Sequence, residues 1–141
     1  GLFDTSFSLY GWEDLELGER LKKIGTKLVK CPEAVGFHWH PPFACEQIES
    51  LISQEKERAR MALLFYKKHS NWRVRLMIQL TPFHSLLWEI ICLGGLISIK
   101  RLFPLLRFLI NTGKNRIAME IVRIPLNLIY VRELRRFKFK N

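Results

Sequence analysis

The stretch Gly11-Trp12-Glu13-Asp14-Leu15-Glu16-Leu17-Gly18-Glu19-Arg20-Leu21-Lys22-Lys23-Ile24-Gly25 carries the reading of the fold. Leu15, Leu17, Leu21 and Ile24 make a rough apolar stripe at helical spacing, which predicts a helix over 12–24. Acidic residues fill its first turns and Lys22 and Lys23 its last, the order the helix dipole favours. Gly25 suits the left-handed residue that ends a helix. Upstream, residues 1–11 mix aromatics with Gly, Ser and Asp and read as a loop. Downstream, Lys27-Leu28-Val29-Lys30-Cys31 suits a short strand, and Cys31-Pro32-Glu33 a turn. Residues 34–40 alternate and carry Val35, Phe37 and Trp39, which predicts a second strand ended by Pro41-Pro42. The expected unit is helix, strand, turn, strand, of the α/β class.

The rest of the chain reads differently. Residues 45–69 predict a long amphipathic helix, with Ile48, Leu51, Ile52, Ala59, Ala62, Leu63 and Tyr66 near one face. From residue 72 the sequence is apolar and basic. Its longest apolar run, 84–99, contains Glu89 and is shorter than the ~20 residues that span a bilayer. Three regions follow: 1–44, the amphipathic helix within 45–71, and a basic apolar helical region over 72–141. The net charge of +10 arises in the last of these. Residues 1–71 balance 10 basic against 10 acidic side chains, whereas 72–141 carry 13 against 3. A chain 48% hydrophobic is neither disordered nor low-complexity. Three cysteines at uneven spacing form no disulfide framework, and a reducing compartment is the simpler setting. The chain opens at Gly1 inside a motif-like stretch, so we expect a piece of a longer protein.

Three constellations carry chemistry. Glu13 and Asp14 are adjacent carboxylates at a helix start, where dipole and free N–H groups favour the ionised form. One can take a proton from an attacking hydroxyl while the other holds the acceptor; the same pair would also merely complement the dipole. His38 and His40 share one face of the expected strand and suit a divalent metal, or simple packing. With Cys31 and Cys45 they give Cys-x6-His-x-His-x4-Cys, which fits no common zinc spacing. The basic apolar tail suits an anionic membrane surface, with apolar faces in lipid and Lys/Arg at phosphates. An ordinary helical bundle is the alternative. Nucleic-acid binding would rest on charge alone, so no nucleic-acid partner is expected.

Taken in order, Gly-Leu-Phe-Asp at 1–4, GWEDLELGERLKKIG at 11–25 and CPEAVGFHWHP at 31–41 resemble the C-terminal part of a family 2-type nucleotide-sugar glycosyltransferase. The opening is similar to that family's G-x-F-D-x-x-F loop, and the centre to its Glu-Asp-x-Glu-Leu motif. The same order occurs in polypeptide N-acetylgalactosaminyltransferases and β-1,4-galactosyltransferases. The resemblance implies a GT-A, Rossmann-like domain, here its C-terminal fragment, followed by the helical basic tail. It implies Asp14 as general base on the acceptor hydroxyl and Glu13 beside it. Gly11, Trp12, Phe3 and Asp4 would shape the substrate pocket. His38, or else His40, would ligate Mn²⁺ or Mg²⁺, a Lewis acid for the departing diphosphate. The implied partners are a nucleotide-sugar donor and a hydroxyl acceptor, on a glycan or a lipid carrier, at the cytoplasmic side of a membrane. The family's Asp-x-Asp motif is absent, since the only aspartates are Asp4 and Asp14. The chain alone is therefore expected to be inactive, and the motif leaves inversion or retention open.

Overall fold

The computed structural model describes residues 2–39 and 41–138, and the regular structure it shows there is helical. Helix α1 covers Glu13–Lys23, α2 Ile48–Lys68, α3 Trp72–Met77, α4 Pro82–Ile91, α5 Ile99–Asn111 and α6 Asn115–Lys138. Single 3₁₀ turns, Cys45–Gln47 and Leu93–Gly95, precede α2 and follow α4.

Local chemistry sets the boundaries. Asn71 caps α3, its Oδ1 accepting from Val74 N at 2.9 Å. Thr81 caps α4, with Pro82 just inside, where a missing N–H costs nothing. Gly25 takes φ 81° and releases the chain from α1, as its position suggests. Pro125 lies inside α6, so the helix passes it with one backbone bond fewer.

The long helices make the core. Asn115 bonds Phe43, Arg58 covers Tyr130 and Arg60 pairs with Glu133, so α2 and α6 lie side by side and run in the same direction. Helix α5 packs against α6 as well. One apolar cluster joins Ala59, Ala62 and Phe65 of α2 to Tyr130, Val131 and Leu134 of α6, with Val74 of α3 and Ile78 just after it. Small Ala59 and Ala62 let the helices approach, and fully buried Phe65 contributes roughly 2–3 kcal/mol by leaving water. Tyr130 is equally buried, and its hydroxyl donates to Ile78 O at 2.8 Å, which fastens the α3–α4 connection. A second cluster packs Phe43 and Ile48 on Leu106, Leu109, Ala118, Val122 and Leu126.

The α/β expectation is corrected. Among the described residues there is no strand, and the fold is all-helical rather than Rossmann-like or GT-A. The turn at Cys31-Pro32-Glu33 forms, Ala34 N donating to Cys31 O at 3.1 Å. The two flanking segments, 27–31 and 34–39, stay irregular, and His40 lies outside the described residues. Leu28 is 100% exposed and Phe37 99%. A strand is stabilised by a neighbour that takes its N–H and C=O groups and covers one face. Alternation in sequence specifies the face but does not supply the neighbour, and no described segment does so.

Candidate functional site

The start of α1 is set by two consecutive left-handed residues, Gly11 at φ 96° and Trp12 at φ 78°. For Trp12 this conformation costs about 1–2 kcal/mol, so something must hold it. Its indole N–H donates to Arg58 O at 2.8 Å, and its ring stacks on Phe65 with centroids 5.9 Å apart. Gly11 lies so close to α2 that a Cβ there would stand 3.1 Å from Arg58 Cγ. Tyr10 N reaches Glu57 Oε2 at 3.4 Å. The turn entering the carboxylate pair is thus clamped onto the middle of α2.

From this turn the two carboxylates part. Asp14 is exposed. Glu13 is half-buried, and its Oε2 is closed to solvent with no hydrogen-bond partner. Nearby on α2, Arg58 Nη2 lies 2.9 Å from Glu55 Oε2, but Arg58 Nε and Glu55 Oε2 lack aligned hydrogen bonds. Burial pushes the Glu55 carboxyl up, and Arg58 opposes that only in part. Polar atoms sealed without partners are uncommon and expensive, so this corner of α1 and α2 is under polar stress.

One turn into α1 lies an arrangement that the sequence does not announce. Glu16 is 1% exposed. Arg20 Nε meets its two oxygens at 3.0 and 2.9 Å, and His69 Nε2 lies 3.0 Å from Oε1. The other ring nitrogen, Nδ1, is 2.9 Å from Lys23 Nζ. An ammonium only donates, so Nδ1 accepts and Nε2–H donates to Glu16. Burial pushes the Glu16 carboxyl up, but the His69 and Arg20 bonds outweigh it and hold it below its ordinary value. The Arg20 contact follows from i,i+4 spacing and could have been read from sequence. His69, 53 residues from Glu16, carried no local signal.

The remaining expected site residues divide. Gly11, Trp12, Glu13 and Asp14 stand together at the start of α1. Asp4 does not join them. Its carboxylate takes Ser6 N and Oγ at 2.9 and 2.7 Å and Lys68 Nζ at 2.7 Å. The Lys68 and Ser6 bonds hold it far below the usual carboxylate range. Lys68 is ten residues beyond Arg58, about 15 Å along α2, so Asp4 ties the opening loop to the far end of that helix. Phe3 is exposed on the same loop, and Arg20 Nη2 fixes Leu2 O at 2.8 Å. His38 lies on the irregular segment after the turn, and His40 is outside the described residues. Among the described residues no three His, Cys, Asp or Glu side chains come together to hold a metal ion. These residues do not by themselves build a metal centre.

Large apolar side chains also lie exposed on α3, α4 and α5. Helix α4 is inverted: Ser85 is buried, while Phe83, Leu86 and Ile90 are 61–67% exposed. The orientation has a polar cause. Arg132 of α6 grips Glu89 with Nε and Nη2 at 2.8 and 2.7 Å and also reaches Gly94 O at 3.2 Å. Trp88 Nε1 is held by Gln79 Oε1 at 2.7 Å. With Glu89 turned to α6, the apolar side of α4 faces outward. Trp72 on α3 and Phe103 and Phe108 on α5 are exposed too, among Arg73, Arg75, Lys100, Arg101 and Arg107. The three acids after residue 72 are each paired with arginine: Glu89 with Arg132, Glu120 with Arg123, Glu133 with Arg60. The positive charge of this half therefore has little local compensation. Among the described residues no helix is long and apolar enough to cross a membrane.

Comparison of the chain with protein-family models, with curated proteins and with solved structures gives no match.

Proposed function

We propose that this chain is the acceptor-side portion of a nucleotide-sugar glycosyltransferase held against an anionic membrane face. The observation that carries the reading is the clamped Gly11–Trp12 turn, which presents Asp14 to solvent from a fixed backbone. A rigid, strained turn before an open carboxylate suits a group that must meet a hydroxyl in one geometry. In the proposed step Asp14 takes the acceptor hydroxyl proton. The hydroxyl oxygen bonds to the anomeric carbon of the sugar, the bond from that carbon to phosphate breaks, and the nucleoside diphosphate leaves. Glu13, half-buried beside it, would contact the acceptor or share that role, as the motif resemblance implies. A Mn²⁺ or Mg²⁺ ion, as the motif resemblance implies, would need ligands beyond His38, so no part of this step is assigned to it.

The exposed apolar faces of α3, α4 and α5 among basic side chains support membrane attachment. Large apolar patches rimmed by charge mark interaction surfaces, and anionic headgroups complement this rim. The cytoplasmic face follows from that charge, because anionic lipid concentrates there. The same faces favour a second reading, a non-catalytic membrane-binding module in which Glu13 and Asp14 only complement a dipole.

One substitution separates the two. Asp14→Asn in the enzyme that carries this sequence should lower transfer by about 10²–10⁴-fold, with circular dichroism and vesicle binding unchanged. Undiminished turnover removes Asp14 as the base and leaves the membrane module.

A further inference from the structure

A hollow that Asp14 does not line opens where the first turns of α2 and α6 meet. It measures about 810 Å³, within the range of small-molecule sites. Its lining mixes apolar Pro42, Phe43, Leu51 and Met119 with polar Gln54, Arg116, Glu120 and Arg123. Asn115 Nδ2 donates to Phe43 O at 2.7 Å and ties the loop that closes one side to α6.

Its electrostatics favour an anion. Arg116 has no ion-pair partner among the described residues. Arg123 pairs with Glu120 at 2.6 Å, but both side chains are more than half exposed, and such surface pairs exchange readily. Because α2 and α6 run in the same direction, both turn the positive ends of their dipoles toward this hollow. Glu120 is the one acid on its wall.

A separate hollow adjoins it on α6. Arg116 and Glu120 also line this second, more open hollow of about 330 Å³, otherwise walled by Ile117, Ile121 and Ile124. A charged end and an apolar run therefore share one boundary. Gln54 precedes Arg58 by four residues, so the larger hollow and the clamp on Trp12 occupy one face of α2, about 6 Å apart along its axis.

We infer that this double hollow binds a phosphate-headed amphiphile, the phosphate at Arg116 and Arg123 and the apolar chain along Ile117, Ile121 and Ile124. The inference concerns binding alone and does not rest on the proposed transfer.

The chain's three methionines provide the test. Met119 lines the hollow, Met77 lies half-exposed on α3 and Met61 is buried. With methyl-labelled methionine, the full chain is titrated with farnesyl phosphate below its micelle concentration, with farnesol and with inorganic phosphate. Farnesyl phosphate should shift Met119 saturably and leave Met77 in place, and the two other probes should bind at least tenfold more weakly. Arg116→Ala with Arg123→Ala should weaken it about tenfold or more, and Glu120→Gln should tighten it. Equal binding of farnesol, equal binding of inorganic phosphate, a response confined to Met77, or no response overturns the inference. Because no sugar donor is present, failure of this binding and failure of transfer are separate results.

Discussion

His69 Nε2 donates to Glu16 Oε1 at 3.0 Å inside the protein, joining the end of α2 to the first turn of α1 across 53 residues of chain. Arg20 completes the coordination of the carboxylate, and Lys23 that of the imidazole. The helix that presents Asp14 is therefore fixed at two points, by Trp12 on Arg58 and by Glu16 on His69. Removing Glu16 leaves the imidazole buried without its acceptor, and Arg20 with Leu2 O alone. Glu16→Ala should cost about 2–3 kcal/mol, read as a lower urea midpoint. Glu19→Ala, on the same helix without such bonds, should change it by less than about 0.5 kcal/mol. Equal effects would show that the Glu16 network adds nothing.

The same group sets a pH dependence. The folded-state value of Glu16 lies below its ordinary 4.5. Its contribution is therefore complete above that pH and is lost as pH falls from about 4.5 through the folded value. Asp4 is displaced in the same direction but is only partly buried, so screening leaves it a small part. The urea midpoint should fall below pH 4.5, and Glu16→Gln should flatten that fall. An identical acid limb in the variant would assign it to other carboxylates.

Gly11 and Gly25 make an internal comparison. Both have positive φ, 96° and 81°. An added Cβ meets Arg58 Cγ at 3.1 Å at Gly11 and open space at Gly25. Gly25→Ala should cost only the backbone term, about 1 kcal/mol. Gly11→Ala should cost more and should shift the fluorescence of neighbouring Trp12. Equal costs and an unshifted spectrum would mean that the turn is not clamped on α2.

How much was legible follows from range. Helix α1 over Glu13–Lys23 was readable because its stripe, its charges and Gly25 all lie within the segment. The strands at 27–31 and 34–39 were misread because β structure needs a partner that alternation does not specify. At the candidate site, the adjacency of Glu13 and Asp14 is sequence itself. Which of the two faces solvent depends on Trp12 finding Arg58 O, 46 residues away. The pairing of Asp4 with Lys68 was hidden for the same reason, since 64 residues separate them. The outward apolar side of α4 depends on Arg132, 43 residues from Glu89.

That inverted helix yields the last prediction. In water, exposed Phe83, Leu86 and Ile90 contribute little to folding. On a bilayer each would leave water and contribute roughly 1–2 kcal/mol. The triple variant Phe83→Ser, Leu86→Ser, Ile90→Ser should weaken binding to vesicles containing anionic lipid by well over tenfold, while its urea midpoint stays level or rises. Raising salt should weaken the unaltered chain on anionic vesicles and change it little on neutral ones, because Arg73, Arg75, Lys100 and Arg101 act through a screened field. Leu106→Ser, at a fully buried site on α5, should instead lower stability by several kcal/mol and show what a core defect looks like. If the triple variant binds vesicles as before, these faces are not the attachment surface. If it unfolds as Leu106→Ser does, they are core, and the inverted orientation of α4 is wrong.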